Sequence, residues 1–161
     1  MELQTLVDRQ KIIDAINMVA ICADLGRWDE LVSQVFASEV KVDYTSLFGG
    51  EAQKVSSSDL IAGWRTVLPG FTSTQHLLGN YQVKVTGEFA IAIAYVRANH
   101  YLPNETGSDT WVVGGYYNYD LKRQGEDWRI TSMKLNVMYT EGNQHLLTLA
   151  KENASKPGAK P

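Results

Sequence analysis

The sequence predicts an α+β fold in one domain, with a long, curved, mostly antiparallel sheet wrapped over N-terminal helices into a cone. Three observations carry that expectation. Apolar residues recur with helical period through the opening part of the chain; four long segments rich in β-branched and aromatic residues fill the second half; and the connections between those segments are too short for parallel crossovers. A curved sheet rolled over helices leaves a blind cavity at one end, where ligand sites tend to form.

From Leu3 to Ala23, the residues Leu6, Ile12, Ile13, Ile16, Val19, Ala20 and Ala23 fall on one stripe of a long amphipathic helix, with Gly26 placed for a left-handed cap. Trp28, Leu31, Val32, Val35 and Phe36 predict a second, shorter helix. Val40, Val42 and Tyr44 alternate with Lys41, Asp43 and Thr45, the period of a half-buried strand, which points Tyr44 inward. Ser58 and Asp59 precede Leu60, Ile61, Trp64, Val67 and Leu68 as the cap of a third helix, stopped by Pro69-Gly70. Strands are expected over 75–86, 89–102, 111–122 and 128–139, and a last helix over 143–151. The domain is placed at 1–152, with 153–161 as a flexible tail lacking large apolar residues.

Composition narrows the function classes. A chain of 161 residues can bury roughly 70% of its unfolded surface in one core. Fifteen basic against eighteen acidic residues, with no Lys/Arg stripe, make nucleic acid an unexpected partner. No apolar run suits a membrane span, and the single Cys22 offers neither a disulfide nor a zinc cluster, which fits a cytoplasmic protein. No metal and no organic cofactor is expected.

The candidate site follows from alternation. On the second long strand Ala90, Ala92, Ala94, Val96, Ala98 and His100 share a face so thin that a helix must pack close or a ligand must fit, each at a different depth. On the third strand Trp111, Val113, Gly115, Tyr117 and Tyr119 share a face, and on the fourth Met133, Leu135, Val137 and Tyr139 do. With Trp64, the residues Ala98, Val113, Tyr117, Met133, Leu135 and Val137 make the expected substrate wall. Within so apolar a wall an ionisable group needs a partner. Asp24, near the end of the first helix, and His76, at the start of a strand, would suit each other, since a carboxylate fixes an imidazole's tautomer and stabilises its cation. Each residue also has a plainer reading: a cap or surface carboxylate for Asp24, satisfied core groups for His76 and His100, a core aromatic for Tyr44.

Several segments carry a family likeness. Val42-Asp43-Tyr44-Thr45-Ser46-Leu47, Thr74-Gln75-His76-Leu77-Leu78-Gly79, Arg97 with His100, and Ala23-Asp24-Leu25-Gly26-Arg27-Trp28 resemble the scytalone dehydratases, in the SnoaL-like branch of the nuclear-transport-factor-2-like (cystatin-like) superfamily. The resemblance implies a cofactor-free lyase. In it His76 would be the base, Asp24 its orienting partner, Tyr44 the holder of a carbonyl-polarising water and His100 an acid for a departing hydroxyl. Ala23 stands where the pattern has a second tyrosine, Tyr117 where it has an asparagine and Gly115 where it has a serine, which implies a different substrate.

The expected function is therefore a dehydratase, isomerase or cyclase acting by acid–base proton transfer on a small, largely apolar carbonyl compound. A non-catalytic protein holding a hydrophobic ligand in the same cone is the alternative, and a purely structural module, which would have no cavity, is a third. A direct Asp24–His76 bond of ~2.6 to 3.2 Å separates the first from the second. The outward face bearing Ile91, Ile93 and Tyr95 predicts a homodimer or homotrimer through the sheet.

Overall fold

Asp8, Ile12, Ile16, Val19, Ala20 and Ala23 form the buried stripe of α1 (Leu3–Leu25) in a computed structural model that describes residues 2–161. Gly26 takes the left-handed cap at φ 69°. The second helix is shorter than its apolar spacing suggests: α2 (Trp28–Glu30) runs into one π-helical turn (Leu31–Val35), and Phe36 already belongs to β1 (Phe36–Asp43). Phe36 is buried from a strand, its ring edge-on to Trp64 with centroids 5.9 Å apart. Hydrophobic spacing alone does not separate the last turn of a helix from the first residue of a strand.

Two short elements carry no periodic signal and were not expected from the sequence. One is the single turn α3 (Thr45–Phe48); the other is the polar edge strand β2 (Gln53–Ser56), too short and too hydrophilic to alternate. The helix α4 (Ser57–Arg65) is capped by Ser56, whose hydroxyl accepts the Asp59 N–H at 3.0 Å, so the cap lies two residues before the expected Ser58. It ends at Arg65, and Leu68–Gly70 form a separate 3₁₀ turn around Pro69.

The long strands are β3 (Ser73–Thr86), β4 (Phe89–Tyr101), β5 (Thr110–Gln124) and β6 (Asp127–Gly142), each within three residues of its expected ends. One six-stranded sheet results, in the order β2-β1-β6-β5-β4-β3, antiparallel throughout except where β1 lies parallel to β6. The thin face of β4 does two things at two depths. Ala90, Ala92 and Ala94 let α1 close down onto the sheet in one core cluster, whereas Ala98 belongs to a second cluster with Phe71, Trp111 and Leu146.

A register shift interrupts the alternation between β5 and β6. Gly115 pairs with Val137 but Gly114 pairs with Tyr139, so Met138 is an extra residue and Tyr139 turns to the outer face rather than the expected inner wall. There its hydroxyl meets Arg97 at 3.1 Å. Gly114 makes room for that ring, since a Cβ there would sit 2.2 Å from it.

The C-terminal helix α5 (Leu146–Ala154) starts later and ends later than expected, so the boundary at residue 152 falls inside it. It packs against the 3₁₀ turn so closely that a Cβ on Gly70 would lie 1.7 Å from the Ala150 carbonyl oxygen. The final residues return along the body: Lys160 Nζ donates to the Thr72 carbonyl at 2.7 Å and Trp28 Nε1 to the Pro161 carbonyl at 3.2 Å.

The start of α1 is tied to the β5–β6 hairpin by a buried ion pair. Asp8 is 3% exposed and takes two bonds from Arg123 (2.9 and 2.7 Å) and one from Trp128 Nε1 (3.2 Å), with the guanidinium 4.6 Å from the Trp128 ring. Arg123's hydrogen bonds outweigh burial and hold the Asp8 carboxyl down at about 2. A depressed folded-state value stabilises the fold above the ordinary aspartate range, near pH ~4, and that contribution fades as pH falls through about 2. Asp8→Asn should therefore cost about 3 kcal/mol in urea unfolding at neutral pH. The gap from wild type should narrow between roughly pH 4 and pH 2; a gap that does not change with pH contradicts the charged pair.

Candidate active site

A carboxylate at the C-terminal end of a helix faces the negative end of the helix dipole, and burial disfavours its charge further. Asp24, in the last turn of α1, meets both conditions and is compensated by three donors from β3. The His76 backbone N–H reaches Oδ2 at 2.8 Å; the Thr74 hydroxyl and the His76 ring reach Oδ1 at 2.9 and 2.6 Å. Because β3 is the edge strand of the sheet, the His76 N–H has no β-partner on that side and is free to bond the helix. Burial pushes the Asp24 carboxyl up, but the His76 ring, its charge, its backbone N–H and Thr74 together bring it below the ordinary value. Asp24 lies behind the histidine, and the imidazole is what faces the cavity.

The cavity, of about 220 Å³, opens between α1, α4 and the inner face of β3–β6. The cavity sets the structure apart from a filled structural module, and the 2.6 Å Asp24–His76 bond lies within the range given above for a direct pair. Tyr44, Trp64, Ala98, Val113, Tyr117, Met133 and Leu135 line it as the sequence suggests, and so do His76 and His100. Val137 does not. It pairs with Gly115 at the register shift, its N–H is held by Ser46 Oγ at 3.0 Å, and its side chain packs into the second core cluster.

Tyr44 sits just past β1, as the residue capping α3, where that single turn swings Leu47 and Phe48 onto the cavity as well. Burial raises the Tyr44 phenol well above its usual value and takes Tyr117 to about 12, with the neighbouring Tyr44 hydroxyl opposing slightly. Both are therefore neutral hydrogen-bond donors at physiological pH.

His100 is 6% exposed and set between Trp111 and Phe71, with ring centroids 4.7 and 5.1 Å away. Its Nδ1 lies 3.1 Å from the Trp111 carbonyl oxygen, which only accepts, so Nδ1 carries the ring hydrogen. Burial first, and His76's charge second, lower His100 to about 4. The ring's Nδ1 hydrogen is thus held by a carbonyl on the protein side, and burial lowers its pKa below the ordinary imidazole range.

The sequence reading missed two polar partners. Thr74 shares the inner face with His76 by simple alternation and could have been paired with Asp24 on that ground. The Trp111 carbonyl, by contrast, is a backbone atom that no side-chain pattern marks. Among the described residues no group of three or more His, Cys, Asp or Glu side chains is placed to hold a metal ion, and no helix is long and apolar enough to cross a membrane.

Fold and site together define an α+β cone with a His–Asp pair beneath an apolar pocket, and the chain belongs to the SnoaL-like domain family, whose model matches residues 4–134. Among solved structures it is similar to the Kfla4162 protein from Kribbella flavida, at 32% identity and TM-score 0.85 over 89% of this chain and 99% of that one. It has the same fold as a candidate scytalone dehydratase from Novosphingobium aromaticivorans, at 20% identity and TM-score 0.72 over 88% and 91% of the two chains. The fold also matches hexachlorocyclohexane dehydrochlorinase LinA-type3 from Novosphingobium barchaimii, at 17% identity and TM-score 0.71 over 89% and 95%. No curated protein matches the sequence significantly.

If the three donors set the position of Asp24, an amide at that site satisfies them poorly. Asp24→Asn should lose about 1–3 kcal/mol in calorimetric unfolding with the far-ultraviolet circular dichroism unchanged. A variant as stable as wild type contradicts the bonding described.

Proposed function

We propose that the protein is a cofactor-independent lyase or isomerase that removes a proton beside the carbonyl of a small, largely apolar compound. The observation that carries this reading is the 2.6 Å bond from His76 Nδ1 to Asp24, which leaves Nε2 as the ring atom available to the cavity. Asp24 accepts the Nδ1 hydrogen, so the tautomer is set with a lone pair at Nε2, and the same carboxylate stabilises the imidazolium formed when Nε2 takes a proton from carbon. Negative charge then develops on the carbonyl oxygen. Tyr44, with Tyr117 nearby, supplies neutral phenolic donors for it in surroundings of low dielectric, where such bonds count for more than in water.

The cavity volume and the aliphatic and aromatic side chains of its wall support a substrate of roughly ten to fifteen heavy atoms with few polar groups. Similarity in fold to proteins named as a dehydrochlorinase and a candidate dehydratase is consistent with elimination chemistry, and the proposal for this chain stops at the shared proton-removal step. The apolar wall also supports a second reading, storage or transport of a hydrophobic ligand.

Hydrogen–deuterium exchange at the α-carbon of a panel of small aryl ketones separates the two. Wild-type protein should catalyse exchange, and His76→Ala should lower the rate about a hundredfold or more while remaining folded. Ketones that bind without exchanging would favour storage.

The outer face of the sheet exposes Phe89 (61%), Ile91 (57%) and Tyr95 (45%), a stretch apolar enough to support a homodimer or homotrimer associated through the sheet. Analytical ultracentrifugation at micromolar concentration should show that assembly, with Ile91→Lys shifting it to monomer; wild-type protein that sediments only as monomer overturns it.

A further inference from the structure

The two cavity histidines are oriented alike. His76 gives its Nδ1 hydrogen to the Asp24 carboxylate at 2.6 Å, and His100 gives its own to the Trp111 carbonyl at 3.1 Å. Both acceptors lie on the protein side of the rings, and neither can donate. Each Nε2 therefore bears a lone pair, and among the described residues neither Nε2 has a protein hydrogen-bond partner. The rings stand edge to face, with centroids 5.6 Å apart and planes at 84°. Among the described residues no Lys or Arg side chain lines the cavity.

Two free ring nitrogens on histidines that line one cavity with centroids 5.6 Å apart are matched by a ligand that offers two hydrogens. One is the carbon-bound hydrogen that His76 removes, so the inference rests on that reading of the site. The other must be a polar hydrogen close enough to reach the second ring at the same time. From the arrangement of the rings we infer that His100 is a specificity-determining acceptor that selects α-hydroxy carbonyl compounds, holding the hydroxyl on the same carbon that loses its proton. A hydrogen on one carbon and a hydrogen on the oxygen bonded to that carbon are close enough together to address two rings whose centroids lie 5.6 Å apart.

Three features fit this role. Phe71 and Trp111 clamp the His100 ring, so its acceptor is preorganised. Its low proton affinity keeps the ring neutral while His76 cycles beside it, which avoids two adjacent imidazolium ions. The charged groups that act on it are His76 and, behind it, Asp24; the phenols Tyr44 and Tyr117 line the same cavity, the Trp111 Nε1–H is a buried donor without a partner, and among the described residues no cation lines the cavity to compete for the His100 lone pair.

Three probes test the inference: α-hydroxyacetophenone, its methyl ether, and acetophenone, with dissociation constants measured for wild type and for His100→Leu. The hydroxy ketone should bind wild type about tenfold tighter than either comparator, the worth of one well-placed hydrogen bond, and His100→Leu should erase that advantage. No preference in wild type, or a preference that survives in His100→Leu, overturns the inference.

Nitrogen-15 spectra of the imidazoles in wild-type protein provide a second measurement that depends on neither folding of the variant nor probe affinity. His100 should remain a neutral ring with hydrogen on Nδ1 across roughly pH 5 to 8; a protonated ring or the opposite tautomer in that range also overturns it. Exchange at the α-carbon of acetophenone, which has no hydroxyl, reports on His76 separately. Exchange without a hydroxyl preference would leave the proposed function standing and remove the role of His100, while a preference without exchange would do the reverse.

Discussion

A charged carboxylate at the C-terminal end of a buried helix is unstable unless donors come to it, and the bonding of Asp24 is the constraint on which the site depends. The donors come from β3, and they can do so because β3 is the last strand of the sheet and has backbone N–H groups with no β-partner. One contact thus joins α1 to the sheet edge, orients His76 and closes one flank of the cavity. The usual liability of an exposed strand edge is turned into the site's anchor.

The rest of the fold supplies space and polarity around that contact. Small residues on β4 let α1 approach at one depth and leave room at another, while the aromatic side of β5 contributes phenols whose burial keeps them protonated. At the far end of α1, the Asp8–Arg123 pair performs the corresponding task on the β5–β6 hairpin. The long helix is held against the curved sheet at both ends by a carboxylate that has found its donors.

The two histidines show how backbone neighbours divide similar side chains between roles. His76 is backed by a carboxylate, which holds the ring hydrogen on Nδ1; His100 is backed by a peptide carbonyl and sealed by aromatic rings, and burial there lowers its pKa. An imidazole resting on a carbonyl can shape what binds without exchanging protons with it. The acceptor role inferred for His100 rests on that distinction.

Much of the fold was legible from periodicity. The buried stripe of α1, the four long strands and the thin inner face of β4 are one-dimensional patterns, because helices repeat every 3.6 residues and strands every two. Asp24, His76, His100 and the residues Ala98, Val113, Tyr117, Met133 and Leu135 reach the site by those same rules. Features that depend on partners distant in sequence were not legible. The extra residue at Met138, which sends Tyr139 outward, and the position of Val137 away from the cavity come from a register shift between strands. The polar strand β2 exists because β1 offers it an edge, and the return of the C-terminal residues to Thr72 and Trp28 has no composition that announces it. What the sequence determined by itself was which faces are apolar and which residues can titrate. Only the tertiary structure decided which hydrogen each ring carries, since a tautomer is set by the atom it points at, and that atom can be a backbone carbonyl on another strand.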